Sequence, residues 1–267
     1  MKRLYLVALL GIGALALAGC RGGGGLGGNP EIVEKVATNQ GADLKLTWKS
    51  VEGADGYRVY CDGNKIWEKK DTTYTIQGSS NVCKTVEVAA YSGNDEQKTP
   101  IDLTPKSSTI PGLVSHNHPD TTKPSWVKLD FTNGSATSVR QRDVRPNTPN
   151  TGWFVFFGSG TPQFRDVRST TSFRDSTATM EVAFTDNISS GNLAPGTGSY
   201  NTVRSISSGG RYFFWADNTS TGYNSMDNND YFGVIKVTSI SGSGHYTADL
   251  EIYIQNKVPG LRWVVTE

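Results

Sequence analysis

Apolar residues in this chain come in short alternating runs, each closed by turn residues, and that pattern builds strands rather than helices. Leu44, Leu46 and Trp48 alternate with polar neighbours, and Tyr57-Arg58-Val59-Tyr60 alternates again before Asp62-Gly63, a strong hairpin signal. Tyr74-Thr75-Ile76 and Val86 to Tyr91 supply further strands. Beyond Trp126 the runs become longer and richer in aromatics: Trp126 to Phe131, Gly152 to Phe157, Thr179 to Phe184, Arg211 to Trp215, Tyr231 to Val237, Tyr246 to Gln255 and Leu261 to Val265. The expectation is an all-β chain, with the Leu261–Val265 run paired inside a sheet. Its length of 267 residues suits two domains.

The amino terminus carries an address. Met1-Lys2-Arg3 is basic, Leu4 to Ala18 is almost wholly apolar or glycine, and the run closes on Leu17-Ala18-Gly19-Cys20. A basic head, a short apolar run and a small-residue cleavage site describe a secretory signal, too short for a stable span. Leu-Ala-Gly-Cys resembles the lipobox of bacterial lipoproteins. The resemblance implies cleavage before Cys20 and acylation of that residue, and several acyl chains hold a chain durably on a bilayer. Residues 1–19 are then the signal peptide. Residues 20–30, with six glycines between Arg21 and Pro30, form a flexible tether. Arg21 in place of an aspartate after the cysteine favours the outer membrane where two membranes exist. The anchored chain is expected on the cell or outer membrane, facing the periplasm or the exterior.

The residues of the first domain, 31–104, have a familiar order. Leu46-Thr47-Trp48, Gly53-Ala54-Asp55-Gly56-Tyr57-Arg58-Val59-Tyr60 and Asp62-Gly63 resemble strands B and C of fibronectin type III domains, Asp71 to Thr75 resembles the next strand, and Val86 to Tyr91 resembles strand F. That resemblance implies a β-sandwich with Trp48 as its buried tryptophan. It departs at Lys84, near where the family usually carries a corner tyrosine. It also makes Cys61 and Cys83 neighbours across adjacent strands, so a disulfide is expected in an exported protein. Strict alternation turns Cys61 inward and Cys83 outward, so the bond requires a bulge or a frayed strand end.

Residues 105–125 carry prolines and hydroxyl residues and read as a linker. His116-Asn117-His118-Pro119-Asp120 is a fragment of the metallo-β-lactamase metal pattern, but Thr121 stands where a further histidine belongs and only His245 remains elsewhere. The motif reads mainly as polar linker. Residues 126–267 form a larger β-sandwich or barrel-like domain. Trp126 to Gly134, Trp153 to Phe157, Tyr231 to Val237 and Glu251 to Gln255 weakly resemble the HmuY-type haem-binding lipoproteins. Haem capture would need axial ligands, for which His245, Met180 and Met226 are the candidates.

Function is less constrained. The formal charge of +1 and the interspersed lysines, arginines and acids give no footprint for nucleic acid. Asp217, Asp227 and Asp230 lie in an Asn/Asp-rich stretch whose hard oxygens suit calcium, although the spacing fails the EF-hand pattern; no other cofactor is expected. Tyr200, Tyr212 and Tyr223 are candidates for stacking on sugar rings, with Tyr223 the preferred ligand-binding residue. Nucleophile-elbow, zincin and nucleotide-loop motifs are absent from the sequence. The leading expectation is a membrane-anchored surface lipoprotein that binds a glycan or a surface protein without catalysis. The alternatives are a glycan hydrolase using acids such as Glu181 and Asp230, or haem and nutrient capture.

Overall fold

Alternation becomes architecture in two antiparallel sandwiches, seen in a computed structural model that describes residues 25–145, 148–167, 180–218, 223 and 225–266. The signal segment, Cys20 and the start of the tether lie outside the described residues, as does Gly222. The chain is all-β there, with one short 3-10 turn at Gln141–Asp143 and no helix long and apolar enough to cross a membrane.

The first sandwich has seven strands: β1 (Ile32–Thr38), β2 (Asp43–Trp48), β3 (Gly56–Cys61), β4 (Asn64–Lys69), β5 (Thr73–Ile76), β6 (Thr85–Ser92) and β7 (Asp95–Asp102). They form a three-stranded sheet in the order β1-β2-β5 and a four-stranded sheet in the order β4-β3-β6-β7. Leu44, Leu46, Val59, Val86 and Val88 are fully buried between them. Trp48 is buried too, edge-on to Tyr57 and Trp67 at centroid distances of 5.6 and 5.9 Å. Strands β4 and β7 escaped a pattern reading because both are sheet edges: β4 is largely polar and β7 contains Pro100, which an edge tolerates.

Cys61 and Cys83 are joined, with their Cα atoms 5.4 Å apart. The expected conflict of phase does not arise, since Cys83 precedes β6 and is freed from its alternation. The neighbouring corner is held by Asp62, whose carboxylate accepts the amides of Lys84 and Thr85 at 3.0 and 2.8 Å. A charge-assisted cap thus stands where a tyrosine corner was missing.

The second sandwich contains β8 (Lys106–Val114), β9 (Trp126–Asp130), β10 (Ser135–Val139), β11 (Thr151–Ser159), β12 (Thr161–Asp166), β13 (Glu181–Phe184), β14 (Val203–Ser205), β15 (Arg211–Asp217), β16 (Tyr231–Ser243) and β17 (His245–Gln255). One sheet runs β10-β9-β11-β12-β14 and the other β13-β15-β16-β17-β8. Phe154, Phe156 and Phe164 of the first face Phe184, Phe214 and Ile252 of the second across a dry core. The outer faces are covered as well. Phe213, Trp215, Phe232 and Val234 pack beneath loops on the back of the second sheet, which is why β15 is buried at every residue.

Two boundaries differ from expectation. Nine residues of the 105–125 linker, Lys106–Val114, are strand β8, paired with β17. Its proline misled the reading: Pro111 lies on an edge strand where the register slips between Ala248 and Leu250, a bulge that needs no proline amide. The Leu261–Val265 run is not a paired strand. Its β-bridge, Trp263 with Leu193, is to a loop residue, and it wedges between the sandwiches. Val258, Leu261 and Trp263 join the core of the first sandwich. The Trp263 indole donates to the Ala42 carbonyl at 2.7 Å, and the Arg262 amide donates to the Gly41 carbonyl at 2.9 Å. Gln255 uses both amide hydrogens, on the carbonyls of Leu103 and Trp263 at 2.9 and 2.8 Å.

These contacts fix the order of the parts. The tether arrives where Gly27 donates to the Glu52 carbonyl and Ile32 pairs with Trp48. The second sandwich docks at the opposite end of β1, on the Asn39–Ala42 turn. From there β17 runs back from Gln255 at the joint to His245 at the far tip, about 36 Å at a rise of about 3.3 Å per residue.

Candidate functional site

The residues singled out from sequence fall at two places, the joint and the tip. Asp217, Asp227 and Asp230 do gather at the joint, but their oxygens are occupied in tying the loop. Asp230 accepts the amides of Asn218 and Asp227 at 3.3 and 2.9 Å, Asp217 accepts that of Tyr223 at 3.3 Å, and Asp227 accepts that of Asn229 at 2.7 Å. The Asp230 carbonyl in turn accepts the Gly260 amide at 2.7 Å, which braces the C-terminal wedge. Burial, with the added charge of Asp227 and Asp217, pushes the Asp230 carboxyl up to about 7. Among the described residues no group of three or more His, Cys, Asp and Glu side chains is arranged to hold a metal ion, so the calcium expectation finds no built site here.

The aromatic candidates are corrected in part. Tyr200 and Tyr212 are buried and serve the core rather than a sugar platform. Tyr223 is half-buried and lies edge-on to Trp215 at 5.0 Å, with a left-handed φ of 61° that a tyrosine adopts only when its surroundings impose it. It packs against the back of the sheet instead of standing clear of it. The haem candidates are scattered. Met180 is in the central core, Met226 is on the opposite face of the same sheet, and His245 is at the distant tip, so no two of them flank one slot. Glu181 and Asp217 are cross-strand partners, but Asp230 is fully buried and beyond the reach of a polysaccharide.

The tip gathers what the sequence scattered. All three histidines of the chain meet there, with the His118 and His245 rings 5.9 Å apart. The His118 Nδ1 accepts the Asp120 amide at 3.0 Å, which leaves the proton of the neutral ring on Nε2. Asp120 accepts the Thr122 amide at 3.0 Å. The His-x-His-x-Asp run is therefore a loop closed by its own hydrogen bonds. His116 lies edge-on to Trp126 at 5.9 Å and stacked on Phe157 at 6.1 Å, and burial lowers its pKa. The guanidinium of Arg165 lies 4.0 Å over the Phe157 ring, held by Gln163 at 2.7 Å.

No protein-family model matches this chain, and no curated protein matches it. The site must be read from its own chemistry.

One group at the tip was missed in the sequence. The segment after β10 carries Arg140, Arg142 and Arg145, and it meets the loop after β8 across an open groove of about 350 Å³ lined by Thr121, Thr122, Gln141 and Arg142. The spacing Arg-Gln-Arg-Asp-Val-Arg was visible as a short basic run. Its significance depends on the Thr121–Thr122 loop, which only folding brings across the groove from it.

Proposed function

We propose that this protein is an exported lipoprotein, anchored through acylated Cys20, that uses its distal tip to bind a glycan or protein at the cell surface. The observation that supports the reading is that the tether meets the first sandwich at the end away from the joint, while the tip lies at the end of β17 away from it. An anchor at one end leaves the groove, the histidines and the Phe157 platform farthest from the bilayer. The first sandwich, proposed as a fibronectin type III module on its three-plus-four strand division, acts as a rigid spacer. The C-terminal wedge keeps the second sandwich from folding back toward the lipid.

The hydrolase alternative is less supported, because the most perturbed acid, Asp230, is buried and engaged in the joint. Haem capture is less supported because Met180, Met226 and His245 do not converge.

The test has two arms. Cell fractionation of wild type and Cys20→Ala is expected to move the protein from the membrane to the soluble fraction; membrane retention of the variant would overturn the anchor. The mature chain on a glycan array, with cross-linking to surface proteins in parallel, is expected to give binding that is lost on substitution at the tip and kept by Tyr223→Ala. Binding lost only with Tyr223 would move the site to the joint.

A further inference from the structure

We propose that the tip recognises an anionic polysaccharide, with a carboxylate or sulfate of one sugar seated against Arg142 in the groove. This assignment rests on the surface-binding role above and names its ligand class. Its basis is an imbalance of charge. In the first sandwich, residues 31–104, twelve acids outnumber nine cations, and five of those cations, Lys45, Lys49, Arg58, Lys65 and Lys98, face a glutamate within 4 Å. At the tip Arg140, Arg145 and Arg165 have no carboxylate partner among the described residues. Arg142 reaches only Asp143, at 3.7 Å with both side chains more than half exposed, and Lys123 only Asp120 at 4.0 Å. Such exposed pairs release their cations at little cost. Five cations against two acids concentrate positive charge on one end of a chain whose net charge is +1, a local field that steers and holds a polyanion.

The lining chooses among polyanions. Thr121 offers an exposed hydroxyl, Gln141 an amide and Arg142 a planar guanidinium, while the Thr122 hydroxyl donates to Asp120 and is left as an acceptor. Hydroxyl and amide groups suit sugar hydroxyls, and guanidinium pairs in bidentate fashion with carboxylate, sulfate or phosphate. The groove contains no aromatic ring of its own, so it lacks the stacking floor on which single-stranded nucleic acid depends. Its volume lies near the lower limit of small-ligand clefts, enough for a sugar unit, with Arg140 two residues from Arg142 on the same segment to meet the next one.

The mature full-length chain is titrated with polygalacturonate (carboxylate) and heparin (sulfate), with neutral dextran and a short single-stranded DNA as comparators. The acidic polymers are expected to bind, with affinity falling steeply as salt is raised. Arg140→Gln with Arg142→Gln is expected to weaken that binding by about tenfold or more. Arg142→Lys should lie between, since it keeps the charge and loses the fork. Both arginines are exposed, so an unchanged thermal melt shows that the double variant is folded. Dextran binding as tightly as the acidic polymers, DNA binding more tightly than they do, or an unaffected double variant would each overturn the assignment. If neutral glycans bind and tip variants lose them, the surface-binding role stands and only the acidic ligand falls. If no polysaccharide binds, the ligand assignment falls, and the surface-binding role is then decided by the protein cross-linking arm.

Discussion

The indole nitrogen of Trp263 donates to the carbonyl of Ala42 at 2.7 Å, joining positions 221 residues apart. This bond places a side chain from the end of the second sandwich in the core of the first, among Leu44, Ile76 and Leu103. The two sandwiches therefore share a hydrophobic core and are expected to unfold together.

Trp263→Ala removes that plug and should cost about 3–5 kcal/mol, the usual range for a buried tryptophan. Calorimetry would show one transition in wild type and two in the variant. Trp263→Phe keeps most of the packing but strands the Ala42 carbonyl, so a smaller loss of about 1–3 kcal/mol is expected. A variant that still melts in a single unshifted transition would refute the shared core.

Gly78 tests the same joint by crowding. A Cβ there would lie 2.5 Å from the Trp263 indole nitrogen and nearer still to the Ala42 carbonyl. Neither neighbour is a flexible side-chain end. Gly78→Ala should therefore displace the tryptophan, lower the melting temperature and alter intrinsic fluorescence. Gly93→Ala is an informative comparator: open space surrounds its Cβ, so only the strain of its positive φ is added.

The Cys61–Cys83 bond closes a loop across a sequence separation of 22. On the chain-entropy model its loss should cost about 3 kcal/mol. Cys61→Ala with Cys83→Ala, melted beside wild type with and without reductant, checks this. Reductant should lower the wild-type melting temperature and leave the double variant unmoved.

Asp230 sets a pH dependence. Its carboxyl holds its proton up to about 7 in the folded chain, mainly through burial, against an ordinary value of about 3.9 when unfolded. The protonated form favours the fold, so its contribution is complete below the unfolded value and is lost as pH rises toward 7. Glu68 and Asp102, held near 2 by their hydrogen bonds, act in the opposite sense and only below about pH 4. His116, whose pKa burial lowers, acts in the opposite sense within the same window, so the Asp230 contribution is read as a difference: between pH 5 and pH 7 the denaturant midpoint of wild type should fall relative to that of Asp230→Asn. An equal slope in the variant would assign the dependence elsewhere.

Local pattern determined the strands whose burial is one-sided or complete, because period-two alternation and long apolar runs are properties of neighbouring residues. Leu44 to Trp48, Tyr57 to Tyr60 and Gly152 to Phe157 belong to this class, as does the Asp62-Gly63 turn, where both residues adopt positive φ. The basic head and small-residue stop before Cys20 are likewise local. Edges were not legible. In β8 the proline read as a linker signal, although an edge strand leaves one side of its backbone unpaired and tolerates it. The fate of Leu261 to Val265 lay further out of reach, since an apolar run shows that a segment will be buried but not against what. The acids of the Asp217–Asp230 stretch looked like ligands because composition cannot show which oxygens already accept backbone amides. The tip could be assembled only in three dimensions: Lys123, Arg142, Arg165 and His245 are distant in the chain, and strand pairing is what brings their loops to one end.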